Sequence, residues 1–242
     1  MEDKRNRIVI TGGTSGIGRE LVQLLATGNR LTVVGRHSER SEALLAEWPD
    51  IAFIEADLDT RNGPVAVREQ VSSGPLHGLI NCAAIQCTPH FTAPDFDFAS
   101  IAREIAVNLT APAELIALFL PDLLEARDPF VLNVNSGLAI VPKVDSAVYC
   151  ATKAGLDSLS LSLRAQLSHT PVKVLQAFLP LVDTPMTRER GGAKLSPERA
   201  AREILAGIAQ RRAIVDVGKV RWLRRIHRWA PGLAQRIIRQ TG

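Results

Sequence analysis

Apolar residues along the chain fall into short continuous runs, separated by longer stretches in which they recur every three or four positions. The runs are RIVIT (7–11), LTVVG (31–35), IAFIEAD (51–57), GLINCAA (78–84), FVLNVNS (130–136), VKVLQAFL (172–179) and RAIVDVG (212–218). Each is short, rich in Val, Ile and Leu, and apolar at consecutive rather than alternate positions, the mark of strands buried on both faces. Helical spacing predicts helices over RELVQLLATG after the first run, then around 38–47, 62–73, 95–107, 110–126, 147–167 and 196–210. The last opens with Ser196 at a cap position and Pro197 at the first helical position. Strand and helix alternate throughout, which predicts an α/β fold: a doubly wound, seven-stranded parallel sheet with helices on both faces. No linker, repeat or low-complexity segment interrupts it, so residues 1–242 read as one domain, with a basic amphipathic segment at about 219–242.

Composition narrows the class. Apolar residues make up 46% of the chain but aromatic ones only 5%, so aliphatic side chains must fill the core. Neither a signal peptide nor a long uncharged apolar run is evident, and a cytoplasmic location is expected. Cys82, Cys87 and Cys150 are odd in number and lack metal-ligand spacing, which predicts reduced, buried thiols and no metal site. The net charge of +4 is unevenly spread, because from Arg211 onward there is a single acid, Asp216, among many arginines.

The chemistry begins at Thr11-Gly12-Gly13-Thr14-Ser15-Gly16-Ile17-Gly18, which follows the first strand and opens a helix. Gly12 permits a tight turn, Gly16 leaves room for a pyrophosphate, and Gly18 lets the helix pack close. The amides of this loop, with Thr14, Ser15 and Ile17, then face the phosphates of a dinucleotide. This context predicts a single-domain Rossmann fold. The spacing T-G-x-x-x-G-x-G resembles that of the short-chain dehydrogenase/reductase family, and further landmarks of that family follow in order over nearly the whole chain. Asp57 and Leu58 end the third strand, where the family holds the adenine ring. Asn81-Cys82-Ala83-Ala84 ends the fourth and resembles the family's N-N-A-G, departing from it at Cys82 and Ala84. Asn108 lies in IAVNLTAP, and Ser136 ends the fifth strand, thirteen residues before Tyr149.

Tyr149 is the one tyrosine of the chain, and Lys153 stands four residues on, on the same helix face. A free phenol near pKa 10 is a poor proton shuttle at neutral pH, and a neighbouring ammonium lowers that value. The family resemblance implies that Tyr149 is the general acid in reduction and the base in oxidation. It implies that Lys153 lowers the tyrosine's pKa and binds the nicotinamide ribose, that Ser136 holds the substrate oxygen, and that Asn108 holds a water linking Lys153 to solvent. The expected activity is hydride transfer between a nicotinamide and a ketone or aldehyde, or a secondary alcohol. A nucleotide-binding sensor on the same fold is the alternative.

The second strand ends Gly35-Arg36-His37-Ser38, with no acid to bind a ribose hydroxyl, so Arg36 favours NADP(H) over NAD(H). Ser15 stands where many relatives that use NADPH carry a second base. After the sixth strand the family's Pro-Gly and Val-x-Thr become Leu179-Pro180-Leu181-Val182-Asp183-Thr184, with Pro180 in the glycine position. The resemblance implies that Pro180, Val182 and Thr184 lie at the cofactor, Thr184 at the carboxamide. These features resemble one subfamily, named for D-alanine esterification of lipoteichoic acid, a name that assigns no substrate. Residues 185–195, polar and containing Gly191-Gly192, predict a mobile lid.

The last segment interleaves Trp222, Leu223, Ile226 and Trp229 with Arg221, Arg224, Arg225 and Arg228 at helical spacing. Three readings stand: a cap on the chain's own fold or a partner subunit, an interfacial helix on an anionic membrane, or a nucleic-acid contact, which no recognition motif accompanies. A cap could also floor the substrate cleft. The resemblance implies a homodimer or homotetramer built on the helices of Asn108 and Tyr149. Leu138, Ile140, Val141 and Val144 suggest an apolar pocket, and no arginine stands in 85–97 or 137–145, so a neutral small-molecule substrate is expected.

Overall fold

The structure is a computed structural model that describes residues 5 to 240. Its centre is one sheet of strands β1 (Asn6–Thr11), β2 (Asn29–Gly35), β3 (Ala52–Glu55), β4 (Gly78–Asn81), β5 (Phe130–Ser136), β6 (Lys173–Leu179) and β7 (Ile214–Asp216). They lie in the order β3-β2-β1-β4-β5-β6-β7, all parallel. The chain winds outward from β1 to β3 and then returns to β4 on the other side of β1. In such sheets a crevice opens at the strands' carboxyl ends where the order reverses. Register brings the functional strand ends to that edge: Thr11 lies opposite Val34 and Asn81, and Ser136 opposite Leu179.

Successive residues of a strand face opposite sides, and here both sides are buried. Ile10, Val33, Ile80 and Leu132 pack with Leu21 and Val22 of α1 (Gly16–Ala26), Leu44 of α2 (Glu39–Glu47) and Ala200, Ala201 and Ile204 of α7 (Pro197–Ala209). Val9, Val34, Leu79 and Val131 pack on the other face, with Val67 of α3 (Gly63–Gln70) and Leu115, Ile116, Phe119 and Leu123 of α5 (Ala111–Glu125). The caps follow the sequence signals: the Ser196 hydroxyl accepts the Arg199 N–H before α7, and Ser38 and Ser41 form a capping box before α2.

One difference from the sequence reading bears on function. The two helices expected around 95–107 and 110–126 are one continuous stretch. Helix α4 (Phe98–Ile105) passes through a π turn, Ala106–Thr110, into α5. The Ala111 N–H reaches back to the Ala106 carbonyl, and Pro112, lacking an N–H, withdraws the donor that the α pattern would supply to the Asn108 carbonyl. Joined in this way, Ala99–Glu125 is long and apolar enough to cross a membrane by length and composition, which the separate segments are not; half of its apolar window is buried inside this fold.

The basic segment forms α8 (Val220–Trp229) and α9 (Pro231–Gln240), following α6 (Ala147–Gln166) and α7 in the chain. It packs on its own fold. The Arg224 guanidinium grips both oxygens of Asp216 at 2.8–3.0 Å and stacks on the Phe178 ring at 4.3 Å. Leu223 lies against Gly137, and Ala234 is fully buried, while Trp229 stands 82% exposed. The cysteines are free; Cys150 is buried and Cys82 half-buried, but Cys87 is exposed, against expectation, because it follows β4 in a loop rather than continuing the strand.

Candidate active site

The glycine loop closes as its sequence dictates. Gly12 has φ 71°, and a side chain there would meet the Ala83 backbone at 2.8 Å. A side chain on Gly18 would lie 2.2 Å from the Gly12 carbonyl oxygen, so α1 can start this close to the turn only with glycine. The Thr11 hydroxyl accepts the N–H groups of Cys82 and Ala83, both at 3.1 Å, locking the loop after β4 to the end of β1. Ser15 precedes α1 in an extended conformation, and its hydroxyl caps nothing. The amides that open α1 therefore lack a side-chain cap and stand beside a cleft, a donor set that fits phosphate.

That cleft has a volume of about 1400 Å³ and runs unbroken across the carboxyl edge of the sheet. Gly12, Thr14, Ser15, Gly16, Ile17 and Gly18 line one part; Arg36, Asp57 and Leu58 line its outer end, and Ala83 its inner wall. Arg36 follows β2 directly, and no carboxylate stands at that strand end. Pro180, Val182 and Thr184 close the far side. Asn81 is the exception among the predicted cofactor residues. It is buried and does not line the cleft, because its amide donates at 2.8 Å to Asn133, which donates in turn to Ser160. The side chain serves the core, and only its backbone neighbours reach the cleft.

Ser136, Tyr149 and Lys153 share the cleft floor. Burial pushes the Tyr149 phenol up to about 12, while the neighbouring Ser136 hydroxyl and the Arg190 guanidinium pull the other way. The Lys153 ammonium is buried, donates to the Val134 carbonyl at 3.0 Å, and lies 5.8 Å from the centre of the Tyr149 ring. Burial lowers its own pKa to about 8. The expected lowering of the phenol by Lys153 is therefore outweighed here: the lysine is bonded elsewhere and the desolvation of the phenol dominates.

Asn108 takes a different task from the expected one. Its side chain is fully buried and does not line the cleft. Its oxygen accepts the Ile85 N–H at 2.9 Å, and its amide donates to the Ile85 carbonyl at 2.8 Å and to Thr152 Oγ1 at 3.2 Å. The amide is spent pinning the loop after β4 to α6, the helix of Tyr149.

The predicted lid is tied at both ends. Val182 pairs with Leu195, the Asp183 N–H donates to the Leu195 carbonyl at 2.8 Å, and the Leu195 N–H to the Leu181 carbonyl at 2.9 Å. Between them Met186 to Ala193 roof the cleft, and Trp222, Leu223, Ile226, Ile237 and Ile238 supply an apolar wall from α8 and α9. The sequence reading missed three residues here. Arg190 reaches from the lid to Gln86 at 2.6 Å; Gln86 donates to Ser146 at 2.6 Å; Glu104, buried one turn before Asn108, accepts the Cys87 N–H at 3.1 Å and the Thr88 hydroxyl. Only the i, i+4 spacing of Glu104 and Asn108 gave a local signal; the other contacts join segments far apart in the chain.

Comparisons with known proteins place this arrangement. The model of the short chain dehydrogenase family matches residues 6–194. The uncharacterized oxidoreductase DltE of Bacillus subtilis is 34% identical over 233 residues, which are 93% of this chain and 92% of that protein. A short-chain dehydrogenase from Sphingobium yanoikuyae in complex with NADPH superposes with a TM-score of 0.81 at 24% identity, covering 94% of each chain. A short chain dehydrogenase/reductase from Burkholderia phymatum in complex with NAD gives 0.82 at 18%, covering 96% of each.

Proposed function

The chain belongs to the short chain dehydrogenase family, and from its membership as an oxidoreductase we propose that it uses NADP(H) to interconvert a ketone or aldehyde and the corresponding alcohol, with Tyr149 as general acid and base. The observation that carries this reading is the convergence of Ser136, Tyr149 and Lys153 on one cleft that also holds the glycine loop. Exchange of hydride at the carbonyl carbon is the chemistry that a bound nicotinamide supplies. Arg36, in a β2 end whose residues Gly35 to Ser38 include no acid, would hold a 2′-phosphate through paired charge-assisted bonds.

The chain's own groups then divide the work. The Ser136 oxygen accepts the Leu138 N–H at 3.1 Å, which fixes its hydroxyl so that the O–H can donate to a carbonyl oxygen. Tyr149 hands its proton to that same oxygen as negative charge develops there, and takes it back in the reverse direction. Lys153 acts through space, as a positive charge 5.8 Å from the ring, and its ammonium is fixed by the Val134 carbonyl. Asn108 positions the loop after β4 and α6 relative to each other. Free thiols and use of the NADP(H) pool fit the cytoplasm.

Titration of tryptophan fluorescence with NADPH and NADH, paired with a carbonyl panel followed by absorbance loss, tests this. The expected result is tighter binding of NADPH, turnover, and a Tyr149→Phe variant that binds but does not turn over. Undiminished turnover in that variant would refute the role of Tyr149. Failure to bind either nucleotide would refute the reading itself.

A further inference from the structure

The cleft carries a charge pattern that a neutral substrate does not need. Arg103, Lys143, Arg190 and Lys219 line it with Arg36 and Lys153, against three acids, Asp57, Asp59 and Glu189. Arg103 is neutralised by Asp97. Arg190 is not: among the described residues no carboxylate lies within ion-pairing distance of it. Its Nη2 donates to the neutral Gln86 oxygen, and Gln86 is anchored through Ser146 immediately before α6. The Glu104 carboxylate, which accepts from Cys87 and Thr88, acts on Tyr149 as a negative charge from a distance, but makes no ion pair with Arg190. A guanidinium has five N–H donors in a planar fork matched to carboxylate or phosphate. Half-buried and unpaired by any acid, it is poised for an anion rather than satisfied. Its charge also reaches the Tyr149 hydroxyl, whose pKa it lowers, so it stands within electrostatic range of the reacting atoms.

We propose that the substrate carries an anionic group, a carboxylate or a phosphate, seated on Arg190 under the lid, with its apolar body along the α8–α9 wall. This rests on the oxidoreductase reading above and names the substrate class for the same cleft. It also revises the neutral substrate expected from the sequence. That expectation followed from the absence of arginine in the segments around 85–97 and 137–145; the cation arrives instead from the lid, latched by Gln86.

The test uses protein saturated with NADPH and three probes of equal chain length: octanoate, octyl phosphate and octanol, with binding read from tryptophan fluorescence, since Trp222 lines the cleft. Replacing a charge-assisted hydrogen bond is worth about ten- to a hundredfold in affinity. At least one anion is expected to bind by that factor more tightly than octanol; the better of the two identifies which anion the site takes. The preference is expected to vanish in Arg190→Leu and to survive in part in Arg190→Lys, with NADPH affinity unchanged in both. Gln86→Leu, which removes the latch and not the charge, should weaken the preference without abolishing it, and serves if Arg190→Leu does not fold. Equal binding of all three probes, binding of none, or a preference that persists in Arg190→Leu overturns the proposal while leaving the oxidoreductase reading intact. Loss of NADPH binding by the unaltered protein would instead strike the oxidoreductase reading.

Discussion

Tyr149 is the only tyrosine, so its ionisation can be followed directly, without a substrate. The perturbation is Ser136→Ala, which removes the hydroxyl that lowers the phenol's pKa. In the cofactor-free protein burial holds that pKa at about 12, against an unperturbed value near 10. Two units correspond to about 2.7 kcal/mol in favour of the neutral phenol, a ceiling because water can enter the open cleft. At pH 7 only about one molecule in 10⁵ then holds a phenolate. With the proposed role of Tyr149, the resting phenol is a proton donor suited to reduction, and oxidation, drawing on the rare phenolate, should accelerate about tenfold per pH unit above neutrality. A hydrogen bond worth about 0.5–1.5 kcal/mol moves a pKa by about 0.4–1 unit, so Ser136→Ala should raise the midpoint by that amount. The assay is tyrosinate absorbance against pH, with circular dichroism confirming the fold and a denatured control near 10. The sign for stability follows from the same values. The folded phenol titrates above the unfolded one, so its contribution is complete below about pH 10 and is lost as the pH rises towards 12. Over that interval the native protein should lose stability faster than Tyr149→Phe. A wild-type midpoint at or below 10, or no upward shift in Ser136→Ala, would refute the reasoning and show that Lys153 already dominates the phenol.

Two further outcomes are expected. Arg36→Ala should weaken NADPH by about ten- to a hundredfold and NADH about twofold or less, measured by fluorescence titration, because only the phosphate contact is lost; equal losses would refute a phosphate-binding role. Asn108→Ala should destabilise the protein by about 1–3 kcal/mol in urea unfolding, since it strands the half-buried N–H and C=O of Ile85 and frees the buried Thr152; a change below about 0.5 kcal/mol would refute a clamping role.

What the sequence determined by itself is whatever short-range pattern can specify. The aliphatic runs mark strands buried on both faces, and their alternation with helices prescribes a parallel sheet. Gly12 and Gly18 are legible because the turn admits no side chain there, and Tyr149 and Lys153 because four residues make one helix face. The tertiary structure decided everything that depends on which distant segments meet. Asn81 reads as a cofactor residue in its local motif, yet Asn133, 52 residues on, turns it into the core. Asn108 is spent on Ile85 and Thr152, and the joining of α4 to α5 depends on a π turn that helical periodicity does not encode. Arg190 looks like one more polar residue of an exposed loop until the fold sets it against Gln86, 104 residues away, and within reach of Tyr149. The last helices were open to three readings because amphipathicity reports that a face will be covered and not by what; packing turned that face into the wall of the cleft. Propensity and periodicity act over one or two turns of chain, whereas burial, charge and hydrogen bonding act through space, and the site is built mainly from the latter.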